Sequence, residues 1–430
     1  MANFIVNGGR PLSGTIRPSG NKNAVLPMIC ASLLTDAPVR LTNVPDITDV
    51  HKLVAYFQSL GSDVDYDTTA QTLALHHKGD IDAKAIENLP LGIRSAILLL
   101  APVLIRHGRL KFDVDAKGCA LGIREIDPHI NFLQAFGCET LPAQGIDMVL
   151  KSRPAAHSIW AEYASVTATE TFLMIASVAE GTSVLTNAAS EPHVQSLCHM
   201  LVQMGAQIDG IGTSRLTVTG AQRLEGAEMR VPDDHHEVAT FLALGGVTGG
   251  RVTVETDILS EMPLILDQFA KLGLRFSQDA GSVTVTDWTR EVTPPLTQQM
   301  TAKIEAAPWP YFPADLLPQA IGVSVGCTGD VLFWNKVYEG ALGWSGELAK
   351  LGVRAHLSDP HRLLVFGGSK LKPAEVEAPY IIRVVVGLLI AAIQIEGTSK
   401  ILKAEPVRRA HPNFIENLKA LGADAHWEDD

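Results

Sequence analysis

Six times along this 430-residue chain an apolar helical stretch ends at a glycine and runs into a strand. The stretches are YFQSLGSDVD at Gly61, FLQAFGCETL at Gly137, LVQMGAQIDG at Gly205, FAKLGLRFSQ at Gly273, LAKLGVRAHL at Gly352 and LKALGADAHW at Gly422. Successive glycines lie 76, 68, 68, 79 and 70 residues apart, so one module of about 70 residues is used six times. Glycine just past the last apolar turn ends a helix because it enters the left-handed conformation without a Cβ clash. A second marker keeps the same beat: a polar or glycine turn leading into a β-branched strand, as in AEGTSVLTNA, TGGRVTVETD and IEGTSKILKA. Apolar helical runs such as FLMIASVA and VVVGLLIAAIQI precede these turns. Each module therefore reads strand, helix, strand, helix, strand, strand, and the fold class is α/β.

Helices apolar over most of their surface, such as SAILLLAPVLI and VVVGLLIAAI, belong inside, with amphipathic ones such as HKLVAYFQSL outside. A chain of this length exceeds what one hydrophobic core organises, and six modules divide into two lobes of three. A crossing between lobes is expected near Pro232, in RLEGAEMRVPDDHHEVATF. A solenoid of six stacked units is the alternative, and the uneven spacing and long loops count against it.

The net charge of −12 argues against a nucleic-acid binder, which would need a basic face. The N-terminal MANFIVNGGRPLSG lacks the pattern of a signal peptide, and the longest apolar run, AILLLAPVLI from Ala96 to Ile105, is too short to span a bilayer. A soluble cytoplasmic protein with no membrane partner is expected; nothing sets its oligomeric state. Five cysteines, odd in number and without a CxxC pair, suit reduced thiols better than disulfides or a structural zinc site. Cys30, Cys138, Cys198 and Cys327 sit in or beside apolar patterns and read as buried hydrophobes. Only Cys119, in DAKGCALGIREIDPH, lies in a polar loop.

Several stretches can carry chemistry, each beside a blander reading. RPSGNKNAVLP places Lys22 and Asn23 where a turn opens a helix, so N–H groups and an ammonium can converge on an anion. The alternative is a capped helix with a solvated lysine. Arg94 heads the run IRSAILLLAPVLI, and Arg124 follows Cys119. Two guanidinium forks suit a carboxylate or phosphate, although a helix-end arginine more often faces water. Asp315, in WPYFPADLLPQA, is either functional or an N-cap, and Arg408 and Arg409 in PVRRAHPNF are either functional or a solvated basic turn.

Taken together, GCALGIREIDPH with Cys119, SGNKNAVLP, IRSAILLLAPVLIRHG, FPADLLPQ and the sixfold LGA-type rhythm resemble the UDP-N-acetylglucosamine enolpyruvyl transferases (UDP-N-acetylglucosamine 1-carboxyvinyltransferases) over the whole chain. The resemblance implies a two-lobed inside-out α/β barrel of six βαβαββ modules, the enolpyruvyl transferase fold. One lobe would hold residues 22–230 with the cysteine loop, and the other residues 1–21 plus 231–430. It implies transfer of enolpyruvyl from phosphoenolpyruvate to the 3-hydroxyl of UDP-N-acetylglucosamine, with phosphate release, committing the sugar nucleotide to peptidoglycan synthesis. Cys119 matches the proton donor and Asp315 the group that takes the hydroxyl proton. Lys22, Arg124 and Arg409 match the cations that hold phosphoenolpyruvate, with Asn23 and Arg383 beside them. For the sugar nucleotide the matches are Arg94, the run Arg124, Glu125, Ile126, Asp127, Pro128 and His129, then Tyr163, Ser165 and Val166, and Val337 with Asp315. No cofactor and no metal are implied.

The chain departs from the family pattern near that site. Tyr163 stands where the family usually has lysine, and Thr167 where it has glycine. Gly340 and Ala341 replace an Asn-Arg pair, Ile381 replaces an aspartate, and Arg408, Arg409 and Ala410 replace Asp-Arg-Gly. Two other readings stay open: the same chemistry on another nucleotide or nucleoside acceptor, and a non-catalytic sugar-nucleotide-binding regulator. Lys22, Cys119, Arg124, Asp315 and Arg409 together weigh against the second, because a binder needs neither an acid nor a base.

Overall fold

The computed structural model describes residues 2–79, 94–112, 126–142, 145–297, 300–409, 411 and 413–429. They form two units: residues 2–19 with 233–429 in one, and the described residues between 20 and 232 in the other. Each unit has its own hydrophobic core.

In the first unit the module is complete at residues 302–366. Strand Ala302–Ala306 pairs parallel with Val331–Asn335, and helix Leu317–Ser324 connects them. A 3-10 helix at Gly343–Ala349 then leads to the hairpin Arg354–Asp359 and Arg362–Phe366, whose second strand pairs antiparallel with Val331–Asn335. Alternate residues of Val331–Asn335 are buried, as expected of a strand with one face on the core. The connecting helix is buried throughout, and so are His235–Val247 and Ile382–Ile393, the inner helices of the other two modules. Two of these helices meet at glycines: a Cβ on Gly387 would lie 2.5 Å from the Pro318 carbonyl oxygen, and one on Gly322 2.4 Å from that of Gly387. Only the absence of side chains there lets the backbones approach so closely.

The other two modules of this unit are assembled from distant parts of the chain. Strand Ser13–Ile16 pairs parallel with Arg251–Glu255, although the whole second unit intervenes in sequence. Strand Ala2–Gly8 lies between Gly397–Leu402 and Asp424–Asp429, antiparallel to both, and so completes the last module from the opposite end of the chain.

The second unit follows the same plan. Its sheets run 227–230, 39–42, 72–76, 63–67, then 207–209, 215–219, 182–186, 158–160, and a three-stranded 109–112, 146–149, 139–141. Strand Ala227–Arg230 closes the first of these by pairing parallel with Val39–Thr42. Inner helices Lys22–Ala31 and Val166–Ala176 are almost wholly buried, whereas Thr48–Ser59 alternates buried and exposed residues and lies outside. The run SAILLLAPVLI is not one regular helix. It starts as a 3-10 segment, Arg94–Leu99, and becomes α-helical at Leu100–His107. That switch puts Pro102 in the first α-turn, where an N–H would have no intrahelical partner.

All six repeat glycines are left-handed, with φ of 86° at Gly61, 96° at Gly137, 112° at Gly205, 88° at Gly273, 85° at Gly352 and 95° at Gly422. No sheet closes on itself among the described residues, and none of their helices is long and apolar enough to cross a membrane. Cys30, Cys138, Cys198 and Cys327 are all buried and reduced.

Candidate functional site

The first unit gathers a polar cluster around Asp315. This residue lies in the short 3-10 turn Ala314–Leu316 before helix Leu317–Ser324, inside the turn and at the N-cap position of neither segment, since those positions are Pro313 and Leu316. The N-cap alternative therefore fails: the side chain, about 30% exposed, turns toward two basic groups instead. Its Oδ2 is 3.8 Å from Arg383 Nε and 3.9 Å from His236 Nε2. Arg383 is 8% exposed, on the first turn of helix Ile382–Ile393, and its Nη1 donates to His411 Nε2 at 2.8 Å. Because guanidinium can only donate, His411 Nε2 must accept, and the ring proton sits on Nδ1. That Nδ1–H donates to Glu237 Oε1 at 2.9 Å, while Glu237 Oε2 accepts the Ser19 backbone N–H at 2.5 Å.

A second arm reaches Asp315 from the start of helix His235–Val247. Asp234 caps this helix, its Oδ1 accepting both the backbone N–H and Nδ1–H of His236 at 2.8 Å. Desolvation by itself would raise the Asp234 carboxyl. His236, Arg383 and His411 more than offset this and hold it well below the usual carboxylate range. Asp234, His235 and His236 bring ligand-type atoms within 4.8 Å of one another. The Asp234–His236 hydrogen bond accounts for that grouping, and we assign no ion to it.

Asp315 and Arg383 also line a small hollow whose remaining wall includes Ala341, Leu342, Ile381 and Val384. Val337 is at the exposed margin of burial, and its N–H donates to Asn335 Oδ1 at 2.9 Å, leaving the carbonyl as its backbone ligand group. Arg409 ends the 3-10 segment Glu405–Arg409. Arg408 packs its guanidinium over Trp427 and reaches Asp429, so it is a surface residue.

In the second unit Lys22 is the first residue of helix Lys22–Ala31. The expected convergence of N–H groups on an anion is not what forms there: Asn21 Oδ1 takes the N–H groups of Asn23 and Ala24 at 2.8 and 3.2 Å. Lys22 is not a solvated lysine either, since its Nζ is 2.6 Å from Asp49 Oδ2 and both side chains are largely buried. Arg94 opens the 3-10 segment, Ile126 precedes helix Asp127–Ala135, and Pro128 occupies its first turn. His129 is 1% exposed, bonded through Nδ1 to Thr171 Oγ1 and through Nε2 to Thr167 Oγ1. Its ring ties two helices together rather than facing a ligand. Ser165 Oγ caps helix Val166–Ala176, and Tyr163 is 44% exposed. Cys119, Arg124 and Glu125 lie outside the described residues.

Sequence reasoning missed Asp49, Asp234, His236, Glu237 and His411. One signal was available: DDHHE, from Asp233 to Glu237, puts five titratable residues at the head of an otherwise apolar helix that turns out to be buried along its whole length.

Residues 6–418 match the model of the family described as EPSP synthase (3-phosphoshikimate 1-carboxyvinyltransferase). A UDP-N-acetylglucosamine 1-carboxyvinyltransferase of Treponema denticola is 35% identical over 98% of both chains. Another, of Bradyrhizobium diazoefficiens, is 36% identical over 98% of this chain and 96% of its own. Among solved structures, the enolpyruvyl transferase NikO from Streptomyces tendae superposes with a TM-score of 0.85 at 22% identity, covering 99% of this chain and 98% of that one. An EPSP synthase from Acinetobacter baumannii gives 0.74 at 16% identity, with both chains fully covered.

Proposed function

This chain belongs to the EPSP synthase family, is a carboxyvinyltransferase and has the enolpyruvyl transferase fold, and we propose that it transfers enolpyruvyl from phosphoenolpyruvate to the 3-hydroxyl of UDP-N-acetylglucosamine. The curated relatives support that acceptor. The observation that carries the chemistry is Asp315, a carboxylate between Arg383 and His236 on the wall of a partly apolar hollow.

Addition begins when the Cys119 thiol protonates the methylene carbon of phosphoenolpyruvate, making the central carbon electrophilic. The acceptor oxygen attacks that carbon as its proton passes to Asp315, giving a tetrahedral ketal. Phosphate then leaves as one methyl proton returns to the Cys119 thiolate, which restores the double bond and the thiol. A carboxylate beside cations is a weak base, so the transfer keeps pace with C–O bond formation, when the hydroxyl becomes acidic. Lys22, Arg124 and Arg409 hold the phosphate and carboxylate, with Asn23 and Arg383 alongside. Asp49 orients the Lys22 ammonium. Charge preorganised in this way typically lowers a barrier by several kcal/mol. Arg94, the segment 124–128, Tyr163, Ser165, Val166 and the Val337 carbonyl contact the sugar nucleotide. At Ser165 the contact comes from the backbone, because its side chain caps a helix. The product commits the sugar nucleotide to peptidoglycan synthesis, which places the enzyme in the cytoplasm, with a part in cell shape and division.

One observation favours a second acceptor: Ala341 and Ile381 give the hollow beside Asp315 an apolar wall. Phosphate release from phosphoenolpyruvate is therefore to be measured with UDP-N-acetylglucosamine, UMP or shikimate 3-phosphate. Release with the sugar nucleotide alone is expected. Release only with UMP would transfer the reading to another nucleotide acceptor, and silence with all three would leave a binding protein.

A further inference from the structure

The buried pair Asp234–His236 stands behind Asp315 with no part in the reaction described so far. Its geometry is directional. Asp234 Oδ1 accepts the Nδ1–H of His236, which fixes the tautomer and turns Nε2 toward Asp315 Oδ2 at 3.9 Å. The side chains of Asp234 and His236 are only 2% and 3% exposed, so water does not compete for these contacts. The groups facing the pair are His235, whose ring lies 4.0 Å from that of His236, together with Asp315 and Arg383. Beyond Arg383 lie His411 and Glu237.

We infer that Asp234 and His236 form a relay behind Asp315, in which Asp234 orients the His236 ring and Nε2 of that ring receives the proton that Asp315 collects. The inference rests on Asp315 acting as the base. As the acceptor O–H bond breaks, its proton goes to an Asp315 oxygen and then to His236 Nε2. This leaves Asp315 ionised and an imidazolium between two carboxylates, and when product leaves the proton returns through the partly exposed Asp315 to solvent. The 3.9 Å separation must shorten by about 1 Å for the transfer, an ordinary change between a resting site and a loaded one.

His236→Gln keeps a polar group near the Nε2 position but cannot take up a proton. Asp234→Asn keeps a good helix cap while removing the charge that orients the ring. With His236→Gln we expect kcat to fall at least tenfold, KM for both substrates to stay within threefold and the melting temperature to hold. With Asp234→Asn we expect a smaller loss of the same kind. Free imidazole should restore part of the kcat of His236→Ala. A His236→Gln enzyme within twofold of the wild-type kcat, or a loss expressed in KM alone, overturns the relay. Should His236→Gln not fold, Asp234→Asn decides by the same criteria. Failure of the underlying reading looks different: Asp315→Asn would retain its kcat, or the wild-type protein would turn over no acceptor.

Discussion

Replacing Glu170 by glutamine tests whether the second unit folds around a neutral carboxylic acid. Glu170 is 1% exposed within helix Val166–Ala176, and its Oε1 has no hydrogen-bond partner. Desolvation first, and then the charge of Glu191, push its carboxyl well above the ordinary value of 4.5. The folded protein therefore keeps a proton that the unfolded chain releases above that pH. Stability from this group is complete below the unfolded pKa and is lost as pH rises toward the folded one. The slope is at most about 1.4 kcal/mol per pH unit and holds only between the unfolded and folded pKa values. For a unit of about 200 residues that slope corresponds to at most roughly 3–6 °C of Tm per pH unit. Glutamine has nearly the same shape and does not titrate. Calorimetric melts of both proteins from pH 5 to 8 should show the wild type falling more steeply, by up to that amount, with the variant flatter. Only the slope is diagnostic, because a buried amide carries its own cost at every pH. Parallel slopes would mean that Glu170 does not change its proton affinity on folding, and the reasoning would be refuted.

Asp49→Asn leaves the Lys22 ammonium largely buried without its counter-charge, which should cost about 3 kcal/mol in a thermal or denaturant melt. Arg383→Lys loses the fork that spans Asp315 and His411, and kcat should drop at least tenfold with little change in melting. Gly387→Ala forces a Cβ against the Pro318 backbone and should destabilise the first unit by more than about 2 kcal/mol, read as a lower urea midpoint. Alkylation followed by mass mapping should modify Cys119 first, and faster with sugar nucleotide bound. The thiols of Cys138, Cys198 and Cys327 are pushed up to about 12 by burial, and that of Cys30 higher still, so equal labelling of any of them would contradict the assignment.

The repeating part of this protein is written in local signals. A left-handed glycine after each apolar turn and a β-branched strand after each polar turn are short-range signals, set by backbone sterics and by which face must leave water, and they survive any arrangement of the modules. Tertiary structure decided what those signals cannot carry. Strands Ser13–Ile16 and Ala2–Gly8 complete modules whose other parts lie more than 200 residues away in sequence. Whether Asp315 capped a helix or faced other charges depended on Arg383 and His236, residues far from it in sequence, and the Glu237–His411 bond spans 174 positions. Lys22 likewise read as a solvated lysine or an anion ligand until Asp49, from the next helix, appeared beside it. Local spacing encodes the ends of helices and strands. The partners of a buried charge are encoded only in how inner helices pack, because desolvation makes every such group find a counter-charge wherever the fold supplies one.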